Sequence, residues 1–336
     1  MAITMVLLCH GRIAGQGFGF IGVNTFFVLS GFLITSLLAA EWDRSGRIHF
    51  AHFYIRRALR LLPALGVMLA AFIVFFLVTM PPNQFRPELT GSLAALFYFK
   101  NWAHILGWPT GVFFGHTWSL SIEEQFYLLW PLLLLCLLRY QKRQSALCWI
   151  LLGVALSMAI RFFYSTGTDI ANSNPDRLTA GPDTRADSLL LGCFAGLALT
   201  SKQVPQTPRF RSVINAIAPL ALAGLLLLAA VDVLRPWMIC WGWSLASALA
   251  MILILALVPG ESPLQRLFEN PALVYLGRIS YGLYLWHYPV LMAMQQHRWP
   301  WEHLLYVPVV LVPVLLSYYL VERPCLRLKR FFSHAA

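Results

Sequence analysis

The run Thr117-Trp118-Ser119-Leu120-Ser121-Ile122-Glu123-Glu124-Gln125-Phe126-Tyr127 sets two carboxylates and several hydroxyls at the mouth of an apolar stretch that continues to Leu138. Ionisable groups at the edge of a hydrocarbon-length helix are costly, which makes them functional candidates. Ser121 and Glu124 have the S-x-x-E spacing of a capping box, a structural use for Glu124. Glu123 is rotated about 100° away on a helix, on the face of Tyr127 and Trp130, and is the better candidate for chemistry. His10 closes a short apolar N-terminal stretch and leads into the glycine-rich residues 11–22. A histidine oriented by a carboxylate is the usual general base, because its pKa lies near the working pH.

Three further groups have suitable residue types. Arg56 and Arg60 share one helical face with Arg57 beside them, as either a headgroup anchor or a site for a phosphate-bearing cytosolic substrate. Arg185 and Asp187 open another apolar stretch, where they either pair or extend the polar site. His287 lies inside the aromatic run Ser280–Pro289, two residues before a proline, and either satisfies a kink or joins the site. No glycine-rich phosphate loop accompanies the arginines, which argues against nucleotide hydrolysis. Cys9, Cys136, Cys148, Cys193, Cys240 and Cys325 are scattered through apolar sequence with no Cys/His cluster, so they read as packing residues and no metal is expected.

Positioning these groups requires a membrane. Of the 336 residues, 59% are hydrophobic and 12% charged, whereas soluble domains are roughly 45 to 50% apolar and about 25% charged. The expected fold is all-α, a polytopic transmembrane bundle. Stretches of about 20 apolar residues lie near 18–40, 63–80, 119–138, 146–164, 186–201, 213–231, 237–258, 279–296 and 303–321. With a first helix that looks truncated, about ten spans are predicted. The excess of 25 Lys and Arg over 14 Asp and Glu reads as topology rather than nucleic-acid binding. If residues 90–106 are re-entrant, Arg44, Arg47, Arg139, Lys142, Arg143, Lys202, Arg209, Arg211 and the basic C-terminus share the cytoplasmic side. Such a segment, with Lys100, Asn101 and His104, is tolerated only when buried in protein. His10, Glu123, Glu124, Arg185 and Asp187 then fall toward the outer ends of their helices. A signal peptide is the rival for the N-terminus, but it lacks a basic leading region.

The ordered motifs resemble the acyltransferase 3 family of integral membrane acyltransferases, which includes O-antigen and other polysaccharide O-acetyltransferases. They are His10, FFVLSGF at 26–32, Arg57-Ala58-Leu59-Arg60, Trp118-Ser119-Leu120 with Glu123 and Tyr127, RADSLLLG from Arg185, ISYGLYLWHYP from Ile279, and Glu322-Arg323-Pro324. The resemblance covers residues 1–330 as one domain and implies transfer of an acyl group, commonly acetyl from acetyl-CoA, to a hydroxyl acceptor such as a carbohydrate or lipid-linked glycan. No bound cofactor is expected, and acyl-CoA is a co-substrate. By the resemblance His10 is the catalytic residue, here expected to act as a base oriented by Glu123, and Arg57 and Arg60 bind the CoA phosphates; Arg56, on the same helical face as Arg60, is a further candidate for that role. Asn24, Ser30 and Tyr127 are candidate oxyanion donors, and Asn24 stands where the family often has Asp. An arginine that the family usually carries upstream of the histidine is not in this sequence, and neither is the SGNH-type hydrolase domain fused to some members. A multi-pass protein of a bacterial inner membrane is implied. The alternative reading is a transporter or flippase for a lipid-linked sugar, although the polar motifs crowd the first half instead of repeating.

Overall fold

In a computed structural model of the chain, the described residues are 1–166, 175–201, 207–258, 262–297 and 302–332. Lys202, one of the expected cytoplasmic cations, lies outside them. Among the described residues there is no β-strand, in agreement with the all-α expectation. Among the described residues seven helices are long and apolar enough to cross a membrane, and the chain is a multi-pass membrane protein. Two of the other expected spans correspond to helices at the margin. One is the polar-headed helix Pro182–Thr200, and the other is the helix Ser280–Gln296, which has 17 residues, a little under the usual length of about 20.

The chain divides into two compact units. The first holds α1 (Ala2–His10, up to Cys9), α2 (Gln16–Ser45), most of α6 (Trp118–Tyr140), α7 (Arg143–Thr166), α8 (Pro175–Ala180), α9 (Pro182–Thr200), α10 (Pro208–Ala229), α11 (Trp243–Leu257), α12 (Pro263–Phe268) and the start of α13 (Pro271–Arg278). Here α2 packs along α9, and α9 also meets α7 and α11. The α2–α9 contact is close because it is built on glycine. A Cβ at Gly31 would overlap the carbonyl oxygen of Leu189, and one at Gly192 would overlap that of Val28. Small residues let transmembrane helices approach this way. Proline opens α9 and α10, where its missing N–H costs nothing. Thr207 caps α10 by accepting from the Phe210 amide at 3.3 Å.

The second unit holds His10 to Ile13, α3 (Phe50–Thr79), α4 (Pro82–Leu96), α5 (Lys100–Ile105), the first turn of α6, and the chain from Tyr275 onward. That last part includes α14 (Ser280–Gln296), α15 (Glu302–Ser317) and α16 (Arg323–Leu328). Residues 90–106 bend at Tyr98, whose φ is 52°, between α4 and α5. The polar groups that made this segment doubtful as a lipid-facing span are covered. Lys100 and Asn101 are fully buried, and Lys100 Nζ donates to the Thr110 carbonyl at 2.9 Å and to its hydroxyl at 2.6 Å. Glu88 accepts from the Val112 amide at 2.8 Å and the Phe113 amide at 3.3 Å.

Apolar side chains outside the cores mark the lipid-facing surfaces. Leu128, Leu129, Leu132 and Leu133 are all exposed on one helix, as are Val74, Leu77 and Val78 on α3. In water such rows would associate. In a bilayer they are the solvent-matched face.

Candidate active site

In the second unit, three imidazoles gather beside two tyrosines. His10, at the end of α1, has Nδ1 3.3 Å from Nε2 of His287, and its ring lies 5.1 Å from that of Tyr288 in an edge-on arrangement. His287 is fully buried, with Nδ1 2.7 Å from the Tyr284 carbonyl and 3.1 Å from that of Leu283. His116, in the turn before α6, is buried with its ring 5.2 Å from His287 and 5.1 Å from Tyr288. The ring lies near the backbone carbonyls of Leu285 and Tyr284, with no well-aligned hydrogen bond from either nitrogen. Tyr284 donates its hydroxyl to the His116 carbonyl at 2.9 Å and shares a 2.5 Å hydrogen bond with Ser119. His116 carried no weight in the sequence reading, because nothing in the order Gly-His-Thr-Trp announces that it meets an aromatic helix more than 160 residues later.

The same unit holds the cations. Arg56 Nη1 donates to the Phe332 carbonyl at 2.8 Å, and the Phe332 ring rests 6.3 Å from His52. The terminal turn Lys329–Phe332 thereby lies against the N-terminal part of α3. Lys329 is pushed down to about 8 by burial and by the positive charges of Arg60, Arg57 and Arg56. Four like charges drawn together have the chemistry to hold an anion. Lys329 was not singled out in the sequence because it sits in a basic tail whose default reading is topology.

In the first unit, Glu123 is held by Ser30, whose hydroxyl donates to Oε1 at 2.8 Å. One turn further along the helix Tyr127 is buried, and two turns along Trp130 Nε1 donates to Thr35 at 2.9 Å. The capping-box expectation is corrected here. The helix already starts at Trp118, and Ser121 lies within it, donating back to the Thr117 carbonyl at 3.1 Å and accepting from the Lys100 amide at 3.1 Å. A serine bonded to the carbonyl four residues earlier is an in-helix serine and not a cap.

Arg185 and Asp187 do not have each other as hydrogen-bond partners. Asp187 Oδ2 accepts from Nη1 and Nη2 of Arg161, each at 3.0 Å, and from Ser244 at 2.5 Å. Arg185 bonds Asn24 Oδ1, while Asn24 Nδ2 donates to the Trp243 carbonyl at 3.2 Å. The Arg185 guanidinium is enclosed by Phe20 at 4.3 Å, Trp243 at 4.9 Å and Phe27 at 5.6 Å, a cation–π cage. Arg161 Nε also bonds the Ile239 carbonyl at 2.8 Å, within the π turn Met238–Gly242. Such turns disturb the helical ladder, and the arginine satisfies one of its oxygens. Among the described residues no group of three or more His, Cys, Asp or Glu could hold a metal ion.

An acyltransferase domain model matches residues 1–322. The chain is 32% identical to peptidoglycan O-acetyltransferase OatA of Listeria monocytogenes over 96% of its own length and 54% of the relative's. It is 34% identical to a provisionally named O-acetyltransferase of Staphylococcus aureus, over 96% and 55%. It is 33% identical to a provisionally named peptidoglycan O-acetyltransferase of Bacillus subtilis, over 96% and 53%. The chain thus spans about half the length of the curated relatives it matches. No solved structure matches it significantly. On the family match and these identities together, the chain belongs to the acyltransferase 3 family.

Proposed function

We propose that this chain is the membrane-embedded transferase part of an O-acetyltransferase of the bacterial inner membrane. It moves an acetyl group from acetyl-CoA to a hydroxyl of a cell-wall glycan. The observation that carries this reading is the family membership with relatives named for peptidoglycan O-acetylation. The imidazole group around His10 and the separate cation cluster around Arg57 and Arg60 fit its two chemical needs.

His10 takes the proton of the acceptor hydroxyl. The oxygen attacks the thioester carbonyl, an oxyanion forms and collapses, and the C–S bond breaks. The proton ends on the CoA thiol, so that acetyl thioester and alcohol become acetate ester and thiol. Arg56, Arg57, Arg60 and Lys329 hold the donor phosphates, for which forked guanidinium groups are well suited. Support for that assignment is the drawing together of four cations, whose mutual repulsion an anion would relieve.

Membranes carrying the wild type, His10→Ala or Arg57→Ala/Arg60→Ala would be supplied with radiolabelled acetyl-CoA and a glycan acceptor. Loss of transfer in the first variant and a raised KM for acetyl-CoA in the second are expected. Unchanged transfer in His10→Ala would sink the base assignment, and an unchanged KM in the double variant would sink the phosphate site.

A further inference from the structure

The geometry points to His287 as the positioning residue that fixes the tautomer of His10, through a directed chain from His10 Nδ1–H to His287 Nε2 and from His287 Nδ1–H to the Tyr284 carbonyl. This rests on the reading of His10 as the base. It assigns to a second imidazole the orienting role that a carboxylate plays in many hydrolytic sites.

The direction follows from what each atom is able to do. His287 Nδ1 lies 2.7 Å and 3.1 Å from two backbone carbonyl oxygens. Carbonyl oxygens only accept, so Nδ1 carries a proton. The carbonyls belong to residues three and four positions earlier on the same helix, in a sequence that places Pro289 downstream.

With its proton on Nδ1, the neutral His287 ring has its lone pair on Nε2. A second proton there would put a cation in a fully buried ring with imidazoles and tyrosines as neighbours, at the desolvation cost of a buried ion. Nε2 therefore accepts, and His10 Nδ1, 3.3 Å away, donates. Neutral His10 is then held as the Nδ1–H tautomer, with the lone pair on Nε2. That is the nitrogen on which the acceptor's proton lands. When His10 becomes an imidazolium its Nδ1–H bond to His287 strengthens, as hydrogen bonds from charged donors do, so the contact favours the protonated form that arises during transfer.

The test combines a structural and a kinetic reading. In wild-type protein labelled with ¹⁵N-histidine and held in detergent, the His10 signals, identified by their loss in His10→Gln, should show a protonated Nδ1 and a lone-pair Nε2. The opposite tautomer in the wild type overturns the inference, with His10→Gln serving only to assign the signals. For His287→Leu, a fall in kcat of about 100-fold or more with KM for acetyl-CoA within about twofold is expected, since a mis-set tautomer removes transition-state function and not binding. His287→Gln, whose amide oxygen can accept from His10, should recover to within about tenfold of the wild type. A monodisperse His287→Leu with wild-type kcat would overturn the positioning role while His10→Ala stays inactive. An active His10→Ala would overturn the base assignment itself, so the two failures are distinguishable.

Discussion

Asp187 Oδ2 joins both Nη atoms of Arg161 at 3.0 Å in a setting where neither side chain has any exposed surface. The other carboxylate oxygen has no hydrogen-bond partner, and Arg185 lies two residues away with Nε and Nη1 unpartnered. One acidic group thus serves two buried guanidinium groups. Buried pairs of this kind are poor sources of stability when compared with apolar replacements, yet breaking one partner is severe. Asp187→Leu is therefore expected to destabilise the detergent-solubilised protein by about 3 to 5 kcal/mol. The double change Arg161→Leu/Asp187→Leu should recover part of the loss. Thermal unfolding of the two variants checks this, and a double variant less stable than the single one would contradict it.

The glycines between α2 and α9 give a second outcome. Gly192→Ala places a methyl on the Val28 carbonyl, a backbone atom that cannot swing away, and should cost about 1 to 3 kcal/mol by overpacking. Gly66→Ala on α3 meets nothing within 4 Å and is expected to be neutral or to stabilise by up to about 1 kcal/mol. Equal melting temperatures for the two variants would show that the α2–α9 approach is not as close as described.

Donor binding should depend on pH through Lys329. Burial and the charges of Arg60, Arg57 and Arg56 bring its ammonium down to about 8. Below that value it is charged and assists an anion. Above it the amine is neutral and binding requires uptake of a proton, so affinity falls as pH rises. KM for acetyl-CoA is expected to climb between pH 7.5 and 9 in the wild type, on the order of severalfold, and to stay flat in Lys329→Met. A wild-type KM independent of pH over that range would remove Lys329 from the site.

His116 is a buried imidazole whose nitrogens lack a well-aligned hydrogen bond, an imperfect arrangement that costs stability and needs a reason. His116→Phe keeps a ring of similar shape and removes that cost. Its melting temperature should equal or exceed that of the wild type while acetyl transfer falls at least about tenfold. Full activity in this variant would reduce His116 to a packing residue.

Much of the architecture was legible in the sequence because it depends on local quantities. Hydropathy found the long helices, and the polar residues within 90–106 marked a segment that must be enclosed, as the burial of Lys100 and Asn101 bears out. The pairing of side chains was harder to read, because it depends on helix rotation and on which helices become neighbours. Arg185 and Asp187 are adjacent enough in sequence to suggest a pair, but two residues apart on a helix they point in different directions. The partner of Asp187 is Arg161, in an unremarkable Ile-Arg-Phe-Phe run on α7. Ser121 and Glu124 had capping spacing, but the helix began three residues before Ser121. His287 was visible as an anomaly among aromatics. Its contact with His10 needed three dimensions.

The hydroxyls of Ser119 and Tyr284 carry a consequence for where protons can travel. Tyr284 spends its single O–H on the His116 carbonyl, so Ser119 must be the donor in the bond between them. The chain runs from serine to tyrosine and stops on a peptide oxygen that has no proton to pass on. It fixes the position of the His116 backbone and at the same time insulates that flank of the imidazoles. Solvent exchange of the acceptor's proton must take another route, and a kinetic solvent isotope effect unchanged by Tyr284→Phe would be its signature.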